Sequence, residues 1–443
     1  MNKHFLKNLR DNLPEPIKYL ISPIFRNKLI QNKSFKEFYS LLEQSEKFNE
    51  NFVMEYKLKR LKDILNYAYN NVPYYNELFK KVGFDYNKFN NFEDINLIPF
   101  LTKDIIRNNF DKLTSRAKVS GGYYIATTGG TTGEPLKILL DYESIFKENA
   151  FIYHFRKNLG YQFDDKIATF RGVEFGNKLW KFNPMYNEML FSPFKLSKST
   201  LNKYVKKIDS FNPKYLNGYL SSMYFFAKLM DDNKLHLSSR LKGIFLIGEN
   251  IEAEQRQFIE KFFGIKSSTF YGHTERCVIA EEIRETLFKF NPFYGYTELL
   301  KNSNDSYDIV STGFLNKIMP LIRYKTGDLC IKENNLIKVQ GRWNVSDFLI
   351  GLHDEKISHA SINFHSEILR NVANYQFIQN KKGKVELLLT VNSSFKSSEI
   401  NLIKKEIDKK TKDIIDFDIK IVDSFQLSSR GKFKRFISNM PNE

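Results

Sequence analysis

Apolar positions recur at helical spacing through residues 52–82, in EYKLKRLKDILNYAYNNVPYYNELFKKVGF, and this pattern predicts helix. Pro73 opens a second helix there, because a proline fits the first turn where its missing N–H costs nothing. LIPFLTKDIIRNNF then reads as a strand-free connector and a helix capped by Thr102. From about residue 140 to 340 the period alternates. Strand-like runs (KIATFRGV, PKYLNGY, LKGIFLIG, SSTFYG, YDIVSTG) interleave with helical ones (SSMYFFAKLMDD, AEQRQFIEKFFG), which predicts an α/β sheet with helices on its faces. After the strand LIKVQ, the run KVELLLTV, SSEINLIKKEIDKKTKD and IIDFDIKIV reads as β-α-β, the right size for a small C-terminal domain. The chain is therefore divided into a basic N-terminal segment 1–50, a large domain 51–346 and a small domain 347–443.

Composition agrees with a globular protein: 42% of the 443 residues are hydrophobic, and 41 Phe and 24 Tyr can fill a large interior. No apolar run approaches the ~20 residues a spanning helix needs. Prolines and charges interrupt the N-terminus where a signal peptide requires an apolar stretch, so a cytoplasmic location is expected. Cys277 and Cys330 are too few for a disulfide framework or a cysteine-rich zinc site and are read as reduced thiols. Net charge is +17, from 68 basic and 51 acidic residues. The lysines are scattered, which favours a solvated surface in a chain rich in Asn, Ile, Phe and Tyr; an acidic substrate or the anionic inner face of a membrane is the alternative. With no RNP-like, zinc or helix-turn-helix pattern, no nucleic-acid partner is expected.

The segment TTGGTTGEPLK, Thr127 to Lys137, carries the first candidate chemistry. Gly129, Gly130 and Gly133 permit torsions that side chains forbid, letting amide hydrogens converge on an anion while Thr128, Thr131 and Thr132 add hydroxyl donors. Glu134 and Pro135 after Gly133 exclude the P-loop, and the missing G-x-G start excludes the dinucleotide fingerprint.

Four more islands follow in order: FYGHTERC at 270–277, MPLIRYKTGDL at 319–329, GRWNVSDFL at 341–349 and SSRGKFKRFI at 428–437. This order resembles the adenylate-forming ligases, the acyl-CoA synthetase superfamily. NYAYNNVPYYNELF, LIPFLTKDIIR and PLIRYKTGD narrow the resemblance to the phenylacetate-CoA ligase-like branch. YGHTER and IMPLIRYKTGD look most like its CapK group, associated with capsular polysaccharide synthesis. The resemblance covers roughly residues 50–443. It implies a large adenylate-forming domain with mixed sheets and flanking helices, plus a small mobile α+β domain.

The resemblance also implies roles. The glycine-threonine loop would hold the pyrophosphoryl end of ATP, Glu275 would be the Mg²⁺ carboxylate, and Thr274 would stand near the α-phosphate. Asp328 would hold the ribose hydroxyls, Arg342 would lie close to nucleotide, and Gly248-Glu249 would form a turn beside it. Tyr271, followed by Gly272, would offer its ring to adenine and the acyl pocket. Lys432 would reach in from the mobile domain, with Lys434 and Arg435 as competitors, and Asp347 would be the hinge. His273 and Arg276 would shape substrate choice, Arg276 by pairing with an acidic group, although a structural histidine suits position 273 equally well. The chain departs from the family at Gly129, where many members carry Ser, and at Glu134, where many carry Lys; Lys137 would substitute.

Three readings compete. The first is an enzyme that uses ATP and Mg²⁺ to make an acyl-adenylate from a small carboxylic acid. It then transfers the acyl group to an amine or hydroxyl of a sugar-derived acceptor, or to CoA. The second is a scaffold without turnover, recruited to membrane-bound polysaccharide assembly through its basic N-terminus. Glu275, Asp328, Arg342 and Lys432 together favour the enzyme. The third, nucleic-acid binding, lacks any motif.

Overall fold

The computed structural model describes residues 13–127, 136–171, 176–302, 305–341, 348–352, 356–358, 369, 371–411, 414–427 and 433–440. Among the described residues five α-helices come first: α1 (Glu15–Ile30), α2 (Lys33–Gln44), α3 (Glu50–Asn71), α4 (Pro73–Val82) and α5 (Lys103–Asn108). The side chains of Asn32, Asn49 and Thr102 accept first-turn amides of α2, α3 and α5, as their short oxygens allow. Pro73 starts α4, and Gly83, at φ +68°, ends it. The expected helical stretch is thus two helices divided at Pro73. The two helices of the N-terminal segment have no counterpart in the sequence reading, which found no motif there. The connector before α5 holds no strand, as expected, although Leu101 forms an isolated parallel bridge with Tyr324.

The hairpin β1 (Tyr123–Thr127) and β2 (Lys137–Asp141) pairs Thr127 with Lys137 and so flanks the glycine-threonine loop. Thr128, Gly129, Gly130, Thr131, Thr132 and Gly133 themselves lie outside the described residues. α6 (Tyr142–Lys157) follows, capped by Asp141, whose Oδ1 accepts Ser144 N at 2.7 Å.

Next come β3 (Ile167–Phe170), β4 (Trp180–Asn183), β5 (Glu188–Phe191), α7 (Lys198–Phe211), β6 (Tyr215–Gly218), α8 (Leu220–Asp232), β7 (Gly243–Leu246), α9 (Ala253–Phe263) and β8 (Ser267–Gly272). The antiparallel strands β9 (Ile279–Arg284), β10 (Leu287–Phe290), β11 (Gly295–Lys301), β12 (Tyr307–Gly313), β13 (Tyr324–Glu333) and β14 (Leu336–Gly341) complete a twelve-stranded sheet. Its order is β11-β12-β13-β14-β10-β9-β8-β7-β6-β3-β5-β4. Strands β5, β3, β6, β7 and β8 run parallel; their connections through α7, α8 and α9 are the crossovers parallel pairing demands. Aromatic side chains dominate both cores: Phe151, Phe155, Tyr215, Phe245 and Phe270 pack between α6 and one face, and Phe170, Phe191, Tyr204 and Phe226 cover the other.

The last elements are β15 (Phe348–Ile350), β16 (Lys356–Ser358), β17 (Val372–Lys381), β18 (Lys384–Val391), α10 (Ser397–Thr411), β19 (Asp416–Ile421) and β20 (Phe436–Ser438). Strands β19-β18-β17-β20 form a separate four-stranded sheet with a core around Phe377, Leu387, Ile403 and Phe417, while β15 and β16 pair with each other. The α/β class, with a large mixed sheet and an α+β C-terminal part, is as expected from the sequence.

Candidate active site

The parallel strands end on one edge of the sheet, where an open α/β fold binds ligands. β8 reaches that edge at Gly272, and the chain turns back through His273, Thr274, Glu275, Arg276 and Cys277 into β9. The turn closes with Arg276 N donating to His273 O at 3.2 Å, and Arg276 adopts φ +54°.

Two glycines fix where this turn lies. Gly295 and Gly313 are cross-strand partners, and the turn rests on both. A Cβ on Gly313 would stand 2.9 Å from Cys277 Cα, and one on Gly295 only 2.2 Å from Cys277 O. Neither position has room for a methyl group. Gly313 sat inside a predicted strand, but only the tertiary fold reveals the reason for it.

The turn and β13 are tied by two reciprocal tyrosine–carboxylate bonds. Tyr271 Oη donates to Asp328 Oδ2 at 2.8 Å, and Tyr324 Oη donates to Glu275 Oε1 at 3.0 Å. In both YGHTE and YKTGD the tyrosine precedes the acid by four residues, and each tyrosine serves the acid of the other motif. Strands β8 and β13 are not neighbours in the sheet, so the lacing draws its two halves together. Asp328 lies just beyond a break in register at Thr326-Gly327; Gly327 has φ +79°, and Asp328 N donates to Thr326 Oγ1 at 3.0 Å. The Lys103 ammonium stands against this bulge, 3.7 Å from where a Cβ on Gly327 would lie. Sequence reading took LTKDIIR as a capped helix and a family marker and missed this lysine.

Glu275 is buried, with its second oxygen 3.2 Å from His273 Nδ1, an ion pair without the alignment of a hydrogen bond. Burial opposes ionisation of the carboxyl, but His273 and the Tyr324 hydroxyl outweigh it and lower its pKa to about 2. Burial likewise opposes the imidazolium, and the Cys277 sulfur and the Glu275 carboxylate offset it, holding His273 well above the ordinary histidine range. The Cys277 thiol is pushed up by burial. Thr274 is half-buried and its hydroxyl makes no hydrogen bond among the described residues.

Arg276 has an intramolecular assignment. Its Nε lies 2.7 Å from Glu148 Oε2 on α6, Nη1 is 3.3 Å from Ser144 Oγ, and Nη2 is 3.4 Å from Tyr124 Oη. Tyr294 Oη donates to the same Glu148 oxygen at 2.7 Å. The sequence reading expected Arg276 to pair with an acidic substrate group; in the structure its guanidinium is matched to the half-buried Glu148 carboxylate and fastens the turn to α6.

At the end of β7, Gly248 takes φ +67° and Glu249 accepts both Ser221 N and Ser221 Oγ at 2.9 Å, capping the first turn of α8. Arg171, directly after β3 on the same edge, was missed by sequence reading; its buried Nε has no hydrogen-bond partner among the described residues. Arg323, another surprise, is buried in a fork to Glu298 (2.6 Å) and donates to Ile98 O at 2.7 Å, pinning the N-terminal helices to the sheet.

Arg342, Asp347 and Lys432 lie outside the described residues. Arg435 is committed elsewhere: its Nη2 donates to Glu252 Oε2, ahead of α9, at 3.1 Å, and it stacks on Tyr375. Phe433, bridged to Leu427, and Lys434, whose carbonyl accepts Gln376 Nε2 at 2.8 Å, hold the chain next to position 432.

Among the described residues no three His, Cys, Asp or Glu side chains gather as a metal cluster.

Comparison with known proteins follows this geometry. The family model described as CapK C-terminal domain matches residues 349–439. Protein CapK of Staphylococcus aureus is 27% identical over 449 residues, covering 95% of this chain and 98% of that protein. Phenylacetate-coenzyme A ligase of Escherichia coli (strain K12) is 23% identical over 371 residues, covering 78% and 83%. Among solved structures, a 2-hydroxyisobutyryl-CoA ligase in the postadenylation state, in complex with R3-HIB-AMP, shares the fold with a TM-score of 0.64 and 16% identity, covering 86% of this chain and 89% of that one.

Proposed function

Because this chain belongs to the adenylate-forming, AMP-producing ligases, in the branch of phenylacetate-CoA ligase and CapK, we propose that it activates a carboxylic acid with ATP and passes the acyl group to an amine or hydroxyl of a sugar-derived acceptor in surface polysaccharide synthesis. The observation that carries this reading is the reciprocal lacing of Tyr271 to Asp328 and Tyr324 to Glu275, which sets two buried carboxylates from separate motifs at one sheet edge. A substrate carboxylate oxygen attacks the α-phosphorus of ATP, the bond to the pyrophosphate oxygen breaks, and pyrophosphate leaves. Asp328, with one oxygen on Tyr271, keeps acceptor capacity for ribose hydroxyls. Thr274 offers its hydroxyl to phosphate. Glu275, whose carboxyl is held, despite its burial, well below the usual range by His273 and Tyr324, would hold magnesium, which when bound would neutralise phosphate charge.

The loop Thr128–Gly133, Arg342 and Lys432 complete the site in this reading. Residues 51–346 and 347–443 act as two domains, with Asp347 the hinge between adenylation and transfer. Transfer to CoA is the second reading, favoured by the resemblance to phenylacetate-coenzyme A ligase. No helix among the described residues is long and apolar enough to cross a membrane.

The deciding experiment is pyrophosphate and AMP release over a panel of aryl, sugar and amino acids, with and without CoA. Carboxylate-dependent release of both supports the proposal; ADP and phosphate from an accepted acid would refute adenylation. Fast CoA-dependent turnover of a simple aryl acid would decide for the thioester.

A further inference from the structure

The helix α1 is amphipathic the wrong way round for a soluble protein. Its inward stripe is Lys18, Ser22 and Arg26 with Leu29, all buried, whereas Leu20 is 78% and Ile24 68% exposed, with Ile17 beside them at 42%. Positions 17, 20 and 24 follow the i, i+3, i+7 spacing of one helix face. The inward stripe is satisfied by polar partners: Ser22 Oγ donates to Pro184 O at 2.7 Å, and Arg26 Nε to Asp164 Oδ1 at 3.0 Å. Tyr19 stacks on Phe182 of β4, ring centroids 4.1 Å apart. The helix is fastened through its polar side, and its apolar side is turned out.

We infer that this face is a membrane-docking surface, inserting Ile17, Leu20 and Ile24 at the boundary between headgroups and acyl chains of an anionic bilayer. Charge selects that occupant. The first 30 residues carry six Lys or Arg against two acids; of these Lys18 and Arg26 face inward and Lys28 of α1 is exposed, in a chain of net charge +17. Next to α1 lies α7, joined through the Lys207–Glu15 pair at 3.2 Å and the Tyr19–Phe211 contact, and its Lys203 and Lys206 are exposed. An apolar stripe among lysines is the pattern of interfacial helices, while three side chains fall far short of the roughly 800 Å² per partner of a stable dimer. α1 rests on β4, the edge strand of the sheet, with β5, β3, β6 and β7 between it and the β8 turn. Docking there leaves the sheet edge of the site free, and it is independent of the chemistry proposed above.

The test is flotation of the purified full chain with vesicles of phosphatidylcholine alone and of phosphatidylcholine mixed with phosphatidylglycerol. Binding to the mixed vesicles, weakened by salt, is expected. The double variant Leu20→Asn/Ile24→Asn should bind at least about tenfold more weakly, with an unchanged unfolding midpoint. Lys203→Gln/Lys206→Gln should lose part of the affinity at low salt only. Failure of the wild type to float with the mixed vesicles would overturn the inference, as would equal binding by the Asn variant. So would a wild-type dimer in sedimentation that the Asn variant dissolves, since a second copy would then cover the face.

Discussion

At Gly313 the space left for a side chain is set by the backbone of Arg276 and Cys277, not by its own strand. Gly313→Ala should cost about 1–3 kcal/mol through overpacking. It should also slow pyrophosphate release roughly 100-fold by shifting Thr274 and Glu275. Unfolding midpoints and single-turnover rates check both; a variant as fast as wild type would mean that the turn tolerates displacement. The tyrosines are separable. Tyr324→Phe removes a hydroxyl from a buried carboxylate, a loss of about 1.5–3 kcal/mol for a bond to a charged group. The Glu275 pKa then rises by a part only, because His273, the larger cause of its lowering, remains. A lowered carboxyl is fully ionised above its ordinary pKa and loses its stabilisation as pH falls through the lowered one, so the acid limb of the rate profile should move to higher pH in Tyr324→Phe. Tyr271→Phe should leave that limb in place, because its hydroxyl serves Asp328.

At the scale of elements, α9 is bolted to the sheet by one guanidinium. Arg256 donates Nε to Ser267 Oγ at 2.9 Å and Nη2 to Ser267 O at 2.7 Å, and pairs with Glu260 and the buried Glu282. Arg256→Met strands those carboxylates and should cost about 3–5 kcal/mol, measured by denaturant unfolding. Arg256→Met/Glu282→Leu should recover much of the loss, and a double variant no better than the single would contradict the stranded-charge account. The cost has a pH signature. Burial tends to raise the Glu260 carboxyl, but the Ser267 hydroxyl and amide and Arg256 outweigh it and hold it below the usual range. Its contribution is present above pH 4.5, so the gap between wild type and Arg256→Met should narrow as pH falls below that value. Most of these elements were legible in the sequence: each of the five strand-like runs holds a strand, and both helical runs between 220 and 264 are helices. The hairpin β4–β5 was not read in the sequence.

For the whole molecule, the contact of Arg435 with Glu252 ties the four-stranded C-terminal sheet to α9, and Tyr224 Oη donates to Ala373 O at 3.4 Å. If the small domain rotates between adenylation and transfer, these contacts belong to one arrangement only. Arg435→Ala, which breaks a partly exposed pair worth about 0–1 kcal/mol, should leave stability nearly unchanged yet alter the ratio of the two half-reaction rates, measured separately by stopped assays. An unchanged ratio would place Arg435 outside the cycle. Lys432→Ala should slow adenylation on the order of 100-fold or more while nucleotide still binds, the range for losing one preorganised charge donor. Lys434→Ala should do much less. The reverse order would mean that Lys434 holds the role assigned to its neighbour.

What the sequence determined by itself is whatever is local: helix starts at Thr102 and Pro73, the period of the five strand-like runs, and the motifs that contain Glu275 and Asp328. Tertiary structure decided which of these side chains meet. Tyr271 and Asp328 are 57 positions apart, and no pattern along the chain shows that each tyrosine crosses to the acid of the other motif. Arg276 looked available to substrate because its partner Glu148 lies on α6, far from it along the chain. The inverted helix α1 escaped for the same reason: its apolar spacing is that of any amphipathic helix, and only packing reveals which face is turned inward, since Lys18 and Arg26 can be buried once other elements supply their partners.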